Sequence, residues 1–65
     1  MEQENLYMQE IMIDKGHRWS NQQIKDLHLD KGILIVLVER GSDTIIPDGK
    51  TIIKENDMLV VVRSE

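Results

Sequence analysis

The chain has 65 residues, no cysteine, and 12 acidic against 8 basic side chains, for a formal charge of -4. That length permits one small domain; ordering it costs on the order of 100 kcal/mol of conformational entropy, which roughly 4,000 Å² of buried apolar surface would offset. The acidic balance excludes a nucleic-acid polymer or an anionic membrane as the main partner, but not a small anion in a locally basic pocket.

Nine Ile, six Leu and five Val, with no Ala or Phe, supply a compact core. With no disulfide and no visible metal cluster to reinforce it, a second copy or a larger parent protein is the expected supplement. The longest unbroken apolar run, residues 33–38, falls far short of the ~20 residues that span a bilayer, so no direct membrane insertion is expected of it. The first five residues, Met1-Glu2-Gln3-Glu4-Asn5, are acidic and polar, unlike the basic start of a secretory signal. Zero Cys fits a reducing cytoplasm.

Over residues 6–13 the apolar side chains Leu6, Tyr7, Met8, Ile11, Met12 and Ile13 occupy both phases of a period-2 pattern, predicting a strand covered on both faces. Asp14-Lys15-Gly16 breaks it. A helix is then expected from Ser20 to about Leu29: Ser20 as N-cap with Gln23 three residues on gives a capping box, and Trp19 with Ile24 gives a hydrophobic staple. Residues 33–38, Ile-Leu-Ile-Val-Leu-Val, read as a central strand buried on both sides. Glu39 to Asp43 forms a hairpin-type connection into Thr44-Ile45-Ile46, and Pro47-Asp48-Gly49-Lys50 is a turn with proline at its second position. Thr51-Ile52-Ile53 is too short to assign as strand or helical turn. Met58 to Val62 is a last buried strand. The expected architecture is α+β, a small mostly antiparallel sheet with one helix in the order β-α-β-β-(β)-β, in one domain spanning 1–65 with its core at about 6–63.

Catalytic templates fail one by one. There is no Cys, no serine sits in a nucleophile elbow, and the two histidines, His17 and His28, do not match a recognised ligand spacing. The four glycines fall singly at expected turns and form no phosphate loop. No enzyme activity, cofactor or metal is therefore expected. Asp48, Glu55 and Asp57 offer oxygen ligands for a hard cation, against the plainer reading of solvated turn carboxylates. Trp19 offers a stacking platform, against its staple role. Arg40-Gly41, emerging from the end of the central strand near the apolar Ile45-Ile46-Pro47, places a charged fork beside an apolar shelf, the ingredients for holding a phosphorylated or carboxylated ligand. A strand-end arginine is also commonly just solvated.

The segment from Gly16 to Leu29 (GHRWSNQQIKDLHL), followed by Ile33 to Gly41 (ILIVLVERG), resembles the TrkA-C domain, the C-terminal subdomain of RCK (regulator of potassium conductance) proteins. The second half is similar too: Ile45 to Val61 (IIPDGKTIIKENDMLVV) follows that family's hydrophobic-Pro-x-x-x-Thr-x-hydrophobic-x-x-Gly-Asp-x-hydrophobic-x-Val ending. The likeness runs over residues 6 to 63. Asn56 stands where the family usually has the glycine of Gly-Asp, and Asn21 where it often has glycine before the helix; asparagine is the next-best residue for a left-handed backbone, so both turns should survive. Ile46 stands where a histidine sometimes precedes the proline.

The resemblance implies a cytoplasmic regulatory domain of a membrane transport protein: a cation/proton antiporter, a potassium transporter or a chloride-channel-type protein. It implies a homodimer with a small ligand between the two copies, cyclic di-AMP in many relatives. The ligand-contacting set on this reading is Arg40, Gly41, Thr44, Ile45, Ile46 and Pro47, the apolar part meeting a base and Arg40 with nearby amides meeting phosphates. Two rivals stand beside it: a ligand-free structural dimerisation module, and a divalent-cation-binding regulatory domain using Asp48, Glu55 and Asp57.

Overall fold

A computed structural model describes residues 5–64; the acidic N-terminal stretch over residues 1–4 and the final residue, 65, lie outside the described residues. Four strands form, β1 (Leu6–Met12), β2 (Ile33–Arg40), β3 (Asp43–Ile45) and β4 (Met58–Ser64). They pair antiparallel in the order β1-β4-β2-β3. The two longest aliphatic runs thus become the inner strands, but β2 is not buried on both sides as expected, since one face of the sheet is open and Leu34 on it is 64% exposed. A bulge between Ile35 and Leu37 resets the alternation of β2, so that Ile35 and Val38 both face the core.

The expected helix does not form. Among the described residues the only helical element is a 3-10 turn at Ile24–Asp26, capped by Gln23 without any side-chain cap bond. The reason lies in the backbone. Asn21 and His28 take left-handed conformations at φ 67° and 54°, which confines any helix to the few residues between them. The amides in that interval are claimed from a distance: Asn21 N–H donates to Ile53 O (2.7 Å), Ile24 N–H to Thr51 O (3.0 Å) and Lys25 N–H to Gly49 O (2.9 Å). Ile53 N–H returns a bond to Gln22 O (2.9 Å), and Gln23 bridges Ile52. Tertiary pairing with the 49–53 segment outcompetes the local capping signal, whose residues Trp19 and Ile24 pack against the core instead. The 51–53 segment left open by the sequence is therefore a backbone clamp.

One face of the sheet is covered by these irregular segments. The core joins Ile35 and Val38 of β2 with Leu59 and Val61 of β4, and Ile13 and Ile53, both fully buried, come from the covering loops. The other face is open. β1, expected to be covered on both faces, is an edge strand with one neighbour and stays exposed apart from a half-buried Ile11; Leu6, Met8 and Met12 are more than half exposed.

Because Ile53 carries the clamp into the core, Ile53→Ala should cost about 2–4 kcal/mol, much of the roughly 3–10 kcal/mol available to a domain this size. Asn21→Ala should cost about 1 kcal/mol while Asn21→Gly is neutral, since only the left-handed backbone is at stake. Urea denaturation of the three variants checks both.

Candidate functional site

At the junction of the two inner strands, the pairing of Glu39 with Met58 brings the end of β2 alongside the start of β4. Arg40 and Asp57 meet there. Arg40 Nε donates to Asp57 Oδ1 and Nη2 to Asp57 Oδ2, both at 2.8 Å, the bidentate geometry that makes arginine–carboxylate pairs strong. Nη2 also donates to the carbonyl of Ile52 (2.9 Å), and Lys54 N–H donates to Asp57 Oδ2 (2.8 Å). The Asp57 side chain is fully buried, that of Arg40 one-third exposed at 33%.

The backbone around this pair is equally committed. Ile13 N–H donates to Asp57 O (2.8 Å) and Asn56 N–H to Ile13 O (2.6 Å), so the residue after β1 meets the backbone of Asp57 while the 51–54 clamp and the β2 terminus meet its carboxylate. Asn56 is left-handed at φ 74°, as its place before the aspartate requires. Burial disfavours the charged carboxyl of Asp57, but the Arg40 guanidinium, the Lys54 amide and nearby positive charge outweigh it and hold the group below the usual carboxylate range. The same hydrogen bond holds Arg40 above the ordinary guanidinium value.

The sequence-derived ligand set divides in two. Arg40 lies in this ion pair, its Nη1 being the donor group without a partner among the described residues. Gly41, left-handed at φ 61°, and Thr44 sit on the exposed β2–β3 hairpin, and Ile45 packs against the core. Ile46 projects outward, 84% exposed. Pro47 belongs to a different feature: with Ile24, Leu29, Ile33 to Ile35, Asp48 and Gly49 it lines a largely apolar hollow of about 160 Å³. From Ile35 to Arg40 is about 17 Å along a strand, so the hollow and the guanidinium are separate contact points.

A cleft of about 560 Å³ that sequence reasoning missed lies on the loop side, lined by residues that include Arg18, Trp19, His28, Asp26 and Asp30. Arg18 stacks over Trp19 at 5.9 Å, and the carboxylates oppose its charge. Among the described residues no group of acidic, histidine or cysteine side chains is placed to hold a metal ion. Asp57 is sequestered from such a role, and Asp48 Oδ1 accepts the Lys50 N–H (2.8 Å) within its own turn. Nor does any helix of the described residues reach the length and apolarity needed to cross a membrane.

Comparison with known proteins yields one positive finding. A family model described as the TrkA-C domain matches residues 8–64. No curated protein matches the chain.

Removing Arg40 should destabilise the domain by on the order of 3 kcal/mol, because Asp57 is left charged in a dry site, and removing Asp57 should cost less, because Arg40 is one-third exposed; an Arg40→Leu/Asp57→Leu double variant should recover part of the larger loss. Acid should act through the same group. Its folded pKa lies below its unfolded value of about 3.9, so the unfolded chain takes the proton first. The stabilisation is complete above that value and drains away as pH falls through the folded pKa. Urea midpoints measured from neutral pH downward should therefore drop more steeply for the native chain than for Asp57→Ala.

Proposed function

The chain belongs to the TrkA-C domain family, which makes it a regulatory domain associated with ion transport, and we propose that it is the ligand-sensing element of a cation transport protein. On this reading it works in the cytoplasm as a homodimer, attached to its membrane parent, and its ligand is a small two-fold symmetric nucleotide such as cyclic di-AMP. It performs no catalysis.

The observation that carries the ligand reading is the hollow at Pro47. At about 160 Å³ it is well under the roughly 300–1,000 Å³ of a complete small-molecule site, but it is apolar, open, and large enough for one ring. A half-site of this kind suits a ligand whose two bases enter the hollows of two copies, with the symmetry of the ligand matching that of the dimer. Ile46 stands exposed beside Pro47 with no packing of its own to explain it. The phosphates then lie toward polar groups of the β2–β3 hairpin, where Arg40 Nη1 and the backbone amides offer donors. The ion pair with Asp57 orients that guanidinium in advance, so less freedom is lost on binding.

Calorimetric titration of cyclic di-AMP into the 65-residue chain should give heat with one ligand per two chains. Ile46→Ala should weaken binding by about tenfold, roughly 1.4 kcal/mol, without changing the melting temperature, since Ile46 supports nothing in the fold. Arg40→Ala is the wrong probe, because loss of the ion pair would itself destabilise the chain. No heat from a folded protein would exclude this ligand.

A further inference from the structure

The cleft on the loop side has no part in the ligand reading above. Its volume of about 560 Å³ lies within the roughly 300–1,000 Å³ of sites that take small molecules. Its charged lining comes from three separate turns: Arg18 follows β1, Asp26 ends the 3-10 turn, and Asp30 precedes β2. Trp19, Leu27, Leu29 and Ile33 pack against the core and also line the cleft, so its apolar part is fixed by the fold. The backbone around it is tied down as well. Trp19 N–H donates to His17 Nδ1 (3.0 Å), Gln22 Nε2 to Arg18 O (2.6 Å), Leu27 N–H to Ile24 O (3.1 Å) and Ile33 N–H to Asp30 O (3.2 Å). The charged groups are not tied. Among the described residues the Arg18 guanidinium, 5.9 Å over the Trp19 ring, and the carboxylates of Asp26 and Asp30 make no hydrogen bond or ion pair. Opposite charges that line one cleft yet stand too far apart to pair leave room for a molecule between them.

We propose that this cleft binds an amino acid with a cationic side chain, of the class of lysine and arginine. The complement of one guanidinium and two carboxylates is one carboxylate and two cationic groups, and a basic amino acid carries that set. Its α-carboxylate accepts paired hydrogen bonds from Arg18. Its α-ammonium and its side-chain cation each answer one aspartate. Its methylene stem lies along the apolar lining while the charged ends stay in water. A neutral amino acid leaves one aspartate unanswered, and an acidic one sets a further anion against both. A net cation is also the charge class that a chain at -4 attracts. The site is distinct from the hollow at Pro47: the two cavities share Leu29 and Ile33, but none of Arg18, Asp26 and Asp30 lines the hollow.

Trp19 is the chain's one tryptophan and lines the cleft, so its fluorescence reports occupancy directly. Titrating lysine or arginine into the full chain should change the emission with a midpoint at or below about 1 mM. Leucine should bind at least about tenfold more weakly, and glutamate should give no response. Arg18→Gln and Asp30→Asn replace exposed residues; each should leave circular dichroism unchanged and weaken arginine about tenfold. Agmatine, which is arginine without its carboxylate, isolates the Arg18 contact: Arg18→Gln should weaken arginine and not agmatine. Emission that ignores both basic amino acids up to about 10 mM overturns the site, as does an arginine midpoint unchanged in both folded variants. Leucine binding as tightly as lysine overturns the charge assignment. None of these results bears on the heat from cyclic di-AMP, which tests the hollow at Pro47 separately.

Discussion

The structure depends on the ion pair between Arg40 and Asp57. A carboxylate with no solvent exposure is tolerable only when its lone pairs are filled, and here three donors reach it at 2.8 Å: two from Arg40 and one from the Lys54 amide. Those donors belong to different parts of the chain, and the backbone of Asp57 also holds Ile13 at the end of β1. One buried charge therefore fixes where β2 ends, where β4 begins and how the 51–54 segment crosses the core. In a domain with so few fully buried side chains, this polar anchor supplies the uniqueness of packing that a larger hydrophobic core would give.

The strands were legible in the sequence because apolar runs and their turn punctuation are local signals. Residues 33–38 and 58–62 announce inner strands, and the structure extends them to Arg40 and Ser64. Asn21 and Asn56, read as stand-ins for glycine, do occupy left-handed positions. The helix was misread for a physical reason. Ser20 with Gln23 and Trp19 with Ile24 satisfy a local capping pattern, but the amides of Asn21, Ile24 and Lys25 in that stretch are bonded to Ile53, Thr51 and Gly49, a competition invisible within one window of sequence. The ion pair was missed for the same reason, its members being 17 residues apart. A usable signal was present: an arginine closing one apolar run and an aspartate opening the next, which antiparallel pairing must bring together.

The residues expected to contact a ligand have different surroundings in the structure. Ile46 is exposed and Pro47, half-buried, lines a hollow. Arg40, the residue expected to be the charged fork, is first a structural residue and offers a ligand only what Asp57 and Ile52 leave over. On the proposed ligand-sensing reading, this gives a way for a small domain to transmit binding. A ligand shifts a conformational equilibrium only through a difference in affinity between states, and contact with Arg40 couples it to the group that joins β2, β4 and the clamp.

The central claim is that a domain complete on one face gains the rest of its stability from association, and that the ligand acts on the associated form. Thermal unfolding of the chain, followed across a wide range of protein concentration with and without cyclic di-AMP, tests it directly. The expected result is a melting temperature that rises with protein concentration and rises again with ligand at each concentration. A melting temperature indifferent to both would contradict it.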